Sequence, residues 1–240
     1  MSQSAGKPLR TPRKKRRLRD ASTDSAPRND GWDLIGGQVA KEIEHYNHAG
    51  QKAVVASLVK SLIASAEIRG DRMMPAPAEA ALCEVHRAGT LFLLEKPGCY
   101  RDTDIRIAGR TTERPPPGRQ VRSEMRVFFT RLTAMWKKSD ALDVAAYAFW
   151  RIARISPFRA GNAQAASFFA YACLCLKLGS LLPNAHTVAD QILADRAGRE
   201  MALRDTDLAF ARSPGKHLRA MKVYLDGLLL RQMQSADLAK

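Results

Sequence analysis

The chain has 240 residues, 45% of them hydrophobic, and a formal net charge of +15, which suits one sizeable core with or without a tail. It contains no run of about 18 apolar residues, which excludes a membrane-spanning helix, and no apolar leader follows Met1, so a cytoplasmic protein without membrane insertion is expected. Its four cysteines, Cys83, Cys99, Cys173 and Cys175, lack zinc-type spacing with His and are expected as buried thiols of a reducing compartment, not a disulfide framework.

Residues 1–30 hold nine Lys and Arg against three Asp, so +6 of the +15 lies there and +9 is spread over the rest. With almost no large apolar side chains, that segment cannot offset its chain entropy, and a disordered basic arm is expected ahead of one domain over 31–240. Within it, Arg13, Lys14, Lys15, Arg16, Arg17 and Arg19 suit phosphate neutralisation on a nucleic acid, or a nuclear address. A solubilising tail is the other reading, since no aromatic residue interleaves the charges.

From Trp32 onward a helical period dominates. Val39, Ile43, Tyr46, Val54, Val55, Leu58, Leu62 and Ile63 predict helix up to about Arg69, with a break at Gly50. His45 and His48 beside Glu44 supply two metal ligands but no third, and a solvent-facing helix is the favoured reading. A second helix is expected over Ala78–Glu95 through Leu82, Val85 and Phe92, stopping at Pro97-Gly98. Tyr100 to Ile107 is the one stretch of strand character, with Asp102 and Asp104 expected as exposed strand charges. After the turn Arg114-Pro115-Pro116-Pro117-Gly118 comes a helix with the stripe Val121, Met125, Phe128, Phe129, Leu132, Met135 and Trp136. Ser139 or Asp140 caps the next, through Leu142, Ala145, Phe149 and Ile152. A further helix runs through Phe168, Phe169, Ala172, Cys173 and Leu176 to a C-cap at Gly179. Segments around 187–212 and 216–234 are also helical. The fold class is mainly α, a helical bundle with one short β-hairpin.

Between two apolar helices stands ISPFRAGNAQAAS, residues 155–167. Pro157 and Phe158 anchor a loop, Phe158 by burial. Gly161 permits close approach and a positive φ. Asn162 and the first N–H groups of the following helix, at Ala163 and Gln164, suit a phosphate, because unsatisfied donors and the macrodipole both favour an anion there. The plainer reading is that Gly161-Asn162 merely starts a helix.

The order of these features resembles the Fic (Fido) family, most of whose members transfer AMP from ATP to a protein hydroxyl. The family motif is His-x-Phe-x-(Asp/Glu)-Gly-Asn-Gly-Arg-x-x-Arg, and Phe158, Gly161 and Asn162 match it, with Pro157 in the expected turn. Pro97-Gly98-Cys99-Tyr100-Arg101 is similar to the family's Pro-Gly-x-Tyr-Arg segment, and Ile105, Arg106 and Ile107 to its flap strand. The resemblance spans roughly residues 60–182 and implies a Fic-like helical bundle with a hairpin flap.

It also implies which chemistry is missing. Ser156 stands at the position of the catalytic His, and a serine hydroxyl is no base near neutral pH, so general-base assistance of about 10²–10⁴-fold is lost. Ala160 replaces the metal-binding acid and offers Mg²⁺ no side-chain oxygen. Ala163 replaces the second Gly. Gln164 and Ser167 replace two arginines and cannot restore bidentate phosphate pairing. Arg151, Arg154 and Arg159 surround the loop, either as substitute phosphate contacts or as a solvated basic rim. The family's inhibitory pattern, Ser/Thr-x-x-x-Glu-Gly, falls on Ser65, Arg69 and Gly70 with Arg69 in place of Glu; Glu67 is expected as an ordinary surface acid. Ser156 as a nucleophile needs a base, and nothing in sequence selects His86, His186 or His217.

The function implied is a degenerate Fic-domain protein without AMP-transferase activity, working by binding a protein or nucleic-acid partner. The alternative is an active transferase moving AMP, another nucleotide or phosphate to a protein hydroxyl. Only that alternative requires ATP and Mg²⁺.

Overall fold

The computed structural model describes residues 37–70, 74–106, 114–215 and 217–237. Among these are eight α-helices: α1 Gly37–Arg69, α2 Glu79–Thr90, α3 Val121–Trp136, α4 Ala141–Ile155, α5 Asn162–Leu178, α6 Val188–Ala194, α7 Arg196–Arg212 and α8 Arg219–Asp237; a single 3-10 turn, Gly118–Gln120, leads into α3. None is long and apolar enough to cross a membrane.

The bundle is organised around α5, which is apolar on every face and buried from Ala165 to Leu176, as a central helix must be. It packs against α1, α2, α4 and α6. Its alanines let neighbours approach, while Phe168 and Phe169 fill the space between helices. Gly179 ends it in the left-handed region (φ 74°), with Gly179 N–H donating to Leu176 O and Ser180 N–H to Cys175 O, so the last carbonyls are satisfied. Asp140, not Ser139, caps α4: its carboxylate accepts from Asp143 N–H at 2.8 Å.

Several expectations need correction. Gly50 does not interrupt α1, which is continuous. A helical glycine costs about 1 kcal/mol, and burial of Ala40, Asn47, Gln51, Val55, Val59 and Ala66 on one side holds the helix through it. Asn47 and Gln51 belong to that buried face because their amides reach Leu91 O (2.8 Å) and Val85 O (3.1 Å). The second helix ends at Thr90, short of Glu95, and Phe92 turns the chain at φ 63° with its ring 64% exposed. No strand forms over residues 100–106, and Ile107 lies outside the described residues, as does the arm. The segment predicted over 187–212 is two helices meeting at Asp195, which caps α7 through Gly198 N–H (2.9 Å). All four cysteines are free thiols; Cys173 and Cys175 are buried as expected, but Cys83 is half-buried and Cys99 exposed.

Candidate functional site

The α4–α5 connection, residues 156–161, is a short loop whose polar groups are turned onto its own backbone. Ser156 ends α4 in the left-handed region (φ 47°), is 1% exposed, and donates through Oγ to Ala153 O at 2.9 Å. Asn162 closes the loop on itself: Oδ1 accepts from Phe158 N–H and Nδ2 donates to Phe158 O, both at 2.8 Å. Ser167 is fully buried and donates to Ala163 O at 2.8 Å. Ala160 is buried behind its methyl group, Gln164 is half-buried and Ala163 exposed.

Two residues clamp this loop from outside. The first is His86 of α2, fully buried, whose ring lies parallel to Phe158 with centroids 3.6 Å apart. Its Nδ1 accepts from Gly98 N–H (2.9 Å) and its Nε2–H donates to Ala160 O (3.0 Å). One nitrogen must accept and the other donate, so these bonds fix a neutral tautomer. Burial pushes its pKa down to about 4, although the bond to Ala160 O opposes the shift. Gly161 (φ 69°) packs against the same helix: a Cβ there would lie 2.8 Å from Thr90 Cγ2. The position therefore needs glycine for conformation and for space.

The second clamp is Arg101, 5% exposed. Its guanidinium donates to Ser156 O (2.7 Å), Ile155 O (3.2 Å), Thr103 O (2.8 Å) and Pro116 O (2.8 Å), while its backbone N–H donates to Pro157 O (2.9 Å). A planar fork suits several carbonyls at once. Burial lowers its pKa, against the nearby Asp104 charge. Asp104 is not a strand charge: Oδ1 accepts from Gly118 N–H at 2.7 Å, and Asp102 O lies where a Cβ on Gly118 would be.

The arginines around the loop divide. Arg151 pairs with Glu124 of α3, and Arg154 with Asp207 of α7 at 2.7 Å, where Trp150 Nε1 also donates. Arg159 is exposed. Ser65, Arg69 and Gly70 close α1, with Ser65 half-buried and the other two exposed; Gly70 takes φ 67° and donates to Glu67 O, a helix-ending arrangement in its own right. Glu67 is exposed. His48 Nε2 is held by Asp190 Oδ1 at 2.7 Å and His45 stacks edge-on with Tyr46; no group of three metal-ligating side chains occurs among the described residues. His186 lies in the loop before α6, and His217 is buried against Trp150 and Phe210.

The loop is thus a frame held between two helices by an aromatic stack, an arginine fork and an asparagine bracket. The model of the Fic/DOC family matches residues 77–174, which contain all of these parts. Residues 77–174 are a Fic/DOC-family domain. Its helical fold is shared with a Fic domain-containing signalling protein from Bacteroides thetaiotaomicron (TM-score 0.61, 17% identity, covering 86% of this chain and 75% of that one). A Fic family protein from Desulfovibrio desulfuricans gives TM-score 0.52 at 18% identity, covering 85% of this chain and 67% of that one. The N-terminal Fic domain of a Bartonella effector protein gives 0.53 at 18% identity, covering 82% and 88%. No curated protein matches the sequence of this Fic-domain chain.

Sequence reasoning found the loop of this Fic domain but not its clamps. His86 lies 70 residues before Ser156 in sequence and no local pattern marks it. Arg101 was visible only as part of the resemblance.

Proposed function

We propose that this Fic domain is degenerate: it keeps the frame of the motif loop, does not transfer AMP, and acts by binding a protein or nucleic-acid partner. The observation that carries this reading is the inward direction of the Ser156, Asn162 and Ser167 side chains. Ser156 Oγ, both polar atoms of Asn162 and Ser167 Oγ all bond to nearby backbone. His86, the nearest imidazole, is kept neutral by burial, with its tautomer fixed by two backbone partners. None of these groups is placed to take a proton from an incoming hydroxyl.

The residues present do not fit a Mg²⁺–ATP donor. A methyl at Ala160 supplies no hard oxygen ligand, and Gln164 and Ser167 supply no charge against a triphosphate. What remains toward an anion is the start of α5, with the N–H groups of Ala163 and Gln164 that no intrahelical carbonyl satisfies, beside the exposed Arg159. That supports at most weak phosphate contact through Gly161, Asn162, Ala163 and Gln164. The arm residues Arg13, Lys14, Lys15, Arg16, Arg17 and Arg19 are the proposed nucleic-acid contacts.

Labelled ATP with Mg²⁺ and cell lysate tests the first point. The purified protein is expected to label neither itself nor a lysate protein. Strong labelling that disappears in Asn162→Ala would sink the degenerate reading. Ser156→His, Ala160→Asp and Gln164→Arg together test whether the frame accepts the family's working parts. Deleting residues 1–30 should abolish nucleic-acid binding that weakens steeply with salt; binding indifferent to both removes the arm's assigned role.

A further inference from the structure

A second concavity lies away from the motif loop, between α1, α5 and the 181–187 loop. Phe168 and Tyr171 line it, six and nine residues beyond Asn162, roughly 9–14 Å along the helix axis. With Val55, Ala56, Leu181 and Leu182 they bound a largely apolar space of about 240 Å³. Its floor is core, since Val55, Phe168 and Tyr171 are all buried.

The loop closing the third side is braced. Lys52 Nζ donates to Ala185 O (2.8 Å), Gln232 Nε2 to Pro183 O (2.7 Å), and Asn184 Oδ1 accepts from His186 N–H (3.1 Å). Thr187 closes a capping box with Asp190 at the start of α6. A cavity with walls fixed in this way is formed before any ligand arrives.

Charge and hydrogen bonding narrow the occupant. Lys52 is the charged residue of the lining, and its ammonium is paired with Asp190 Oδ2 at 2.8 Å. Asp190 is 7% exposed and also accepts from His48 at 2.7 Å. With the charges cancelled, an anion gains no net attraction and a cation finds no unpaired carboxylate. An ammonium has three N–H donors. Asp190 and Ala185 O take two of them, which leaves one for an acceptor at the mouth. The Tyr171 hydroxyl is also loosely held, 3.5 Å from Leu182 O and 3.4 Å from Gln232 Nε2. A dry apolar cavity of about 150 Å³ takes benzene, so this one has room for a second ring.

We propose that this cavity binds a small neutral molecule of one or two rings bearing a hydrogen-bond acceptor, an aromatic ketone for example. The rings lie against Ala56, Leu181 and Ala185, over the buried side chains of Val55 and Phe168, and the acceptor takes the third N–H of Lys52. The site is independent of the proposed loss of transferase chemistry and adds a ligand class to the binding role.

The test is an NMR titration of the full-length protein with 1-indanone. Saturable shifts are expected at Lys52, Ala56, Phe168 and Tyr171. Indane, which lacks the acceptor, should bind about tenfold more weakly, the value of one hydrogen bond. Ala56→Trp fills the cavity from the half-exposed side of α1 and should remove the shifts; if that variant does not fold, Leu181→Trp blocks the cavity from the opposite wall. The proposal is overturned if 1-indanone gives no saturable shifts, or if they persist in a folded blocked variant. Indane binding as tightly as 1-indanone, or benzoate binding more tightly, overturns it as well.

Discussion

His86 offers the sharpest test of how the motif loop is held. In His86→Phe the ring keeps its stack on Phe158 but loses both polar contacts, leaving Gly98 N–H and Ala160 O without partners. Each buried polar group stripped of its partner costs about 1–3 kcal/mol, so a loss of about 2–4 kcal/mol is expected at pH 7.5. The pH dependence is more diagnostic. Folding lowers the pKa of His86 from 6.5 to about 4, so between those values the unfolded chain binds the extra proton and the folded chain does not. Stability from the neutral ring is therefore complete above about pH 6.5 and is lost as pH falls toward 4. A shift of that size corresponds to about 3 kcal/mol. Other groups titrate over the same range, but they are common to both proteins and cancel in the difference. Urea unfolding followed by far-UV circular dichroism should show a gap between wild type and His86→Phe that is wide at pH 7.5 and narrows by pH 4.5. A gap that stays constant with pH would show that His86 is not held neutral by its burial.

Three further outcomes follow from the same frame. Arg101→Lys keeps a charge but cannot reach four carbonyls; a loss of about 2–4 kcal/mol and faster amide exchange across residues 156–161 are expected, and unchanged exchange would refute the clamp. Gly161→Ala adds a methyl 2.8 Å from Thr90 Cγ2 at φ 69°; the left-handed backbone alone costs about 1–2 kcal/mol, so the thermal unfolding midpoint should fall, whereas alanine at the helical Gly50, which meets nothing within 4 Å, should raise it. Asn162→Ala removes both bonds to Phe158 and should cost about 1–3 kcal/mol in chemical denaturation; a neutral result would return Asn162 to the role of a ligand contact.

The site was legible in part. Phe158, Gly161 and Asn162 were marked by local spacing, because a buried anchor, a positive φ and a helix start are properties of a few adjacent residues. Phe158 is buried, Gly161 takes φ 69° and Asn162 begins α5. The direction of Asn162 was not marked, since an amide that can serve a phosphate can equally well serve Phe158. Arg151 and Arg154 looked like a rim around the loop, yet their carboxylate partners, Glu124 and Asp207, come from other helices. The paired charges of Lys52, His48 and Asp190 likewise join residues distant in the chain.

Periodicity determined the helices α3 and α4, because a repeat near 3.6 with an apolar face specifies a helix wherever it must be buried. The cap at Gly179 followed from residue chemistry alone, whereas Ser139 and Asp140 were equally suited to cap α4 until the structure selected Asp140. Tertiary structure decided the rest. Gly50 stays helical because α1 is held along one buried face, and residues 100–106 form no strand because Arg101 and Asp104 bond their neighbourhood to the motif loop and the Pro-rich turn. These are choices between local conformations of similar energy, and long-range side-chain bonds settle them. The loop's residues are written together in the sequence; the residues that hold its shape are brought to it by the fold.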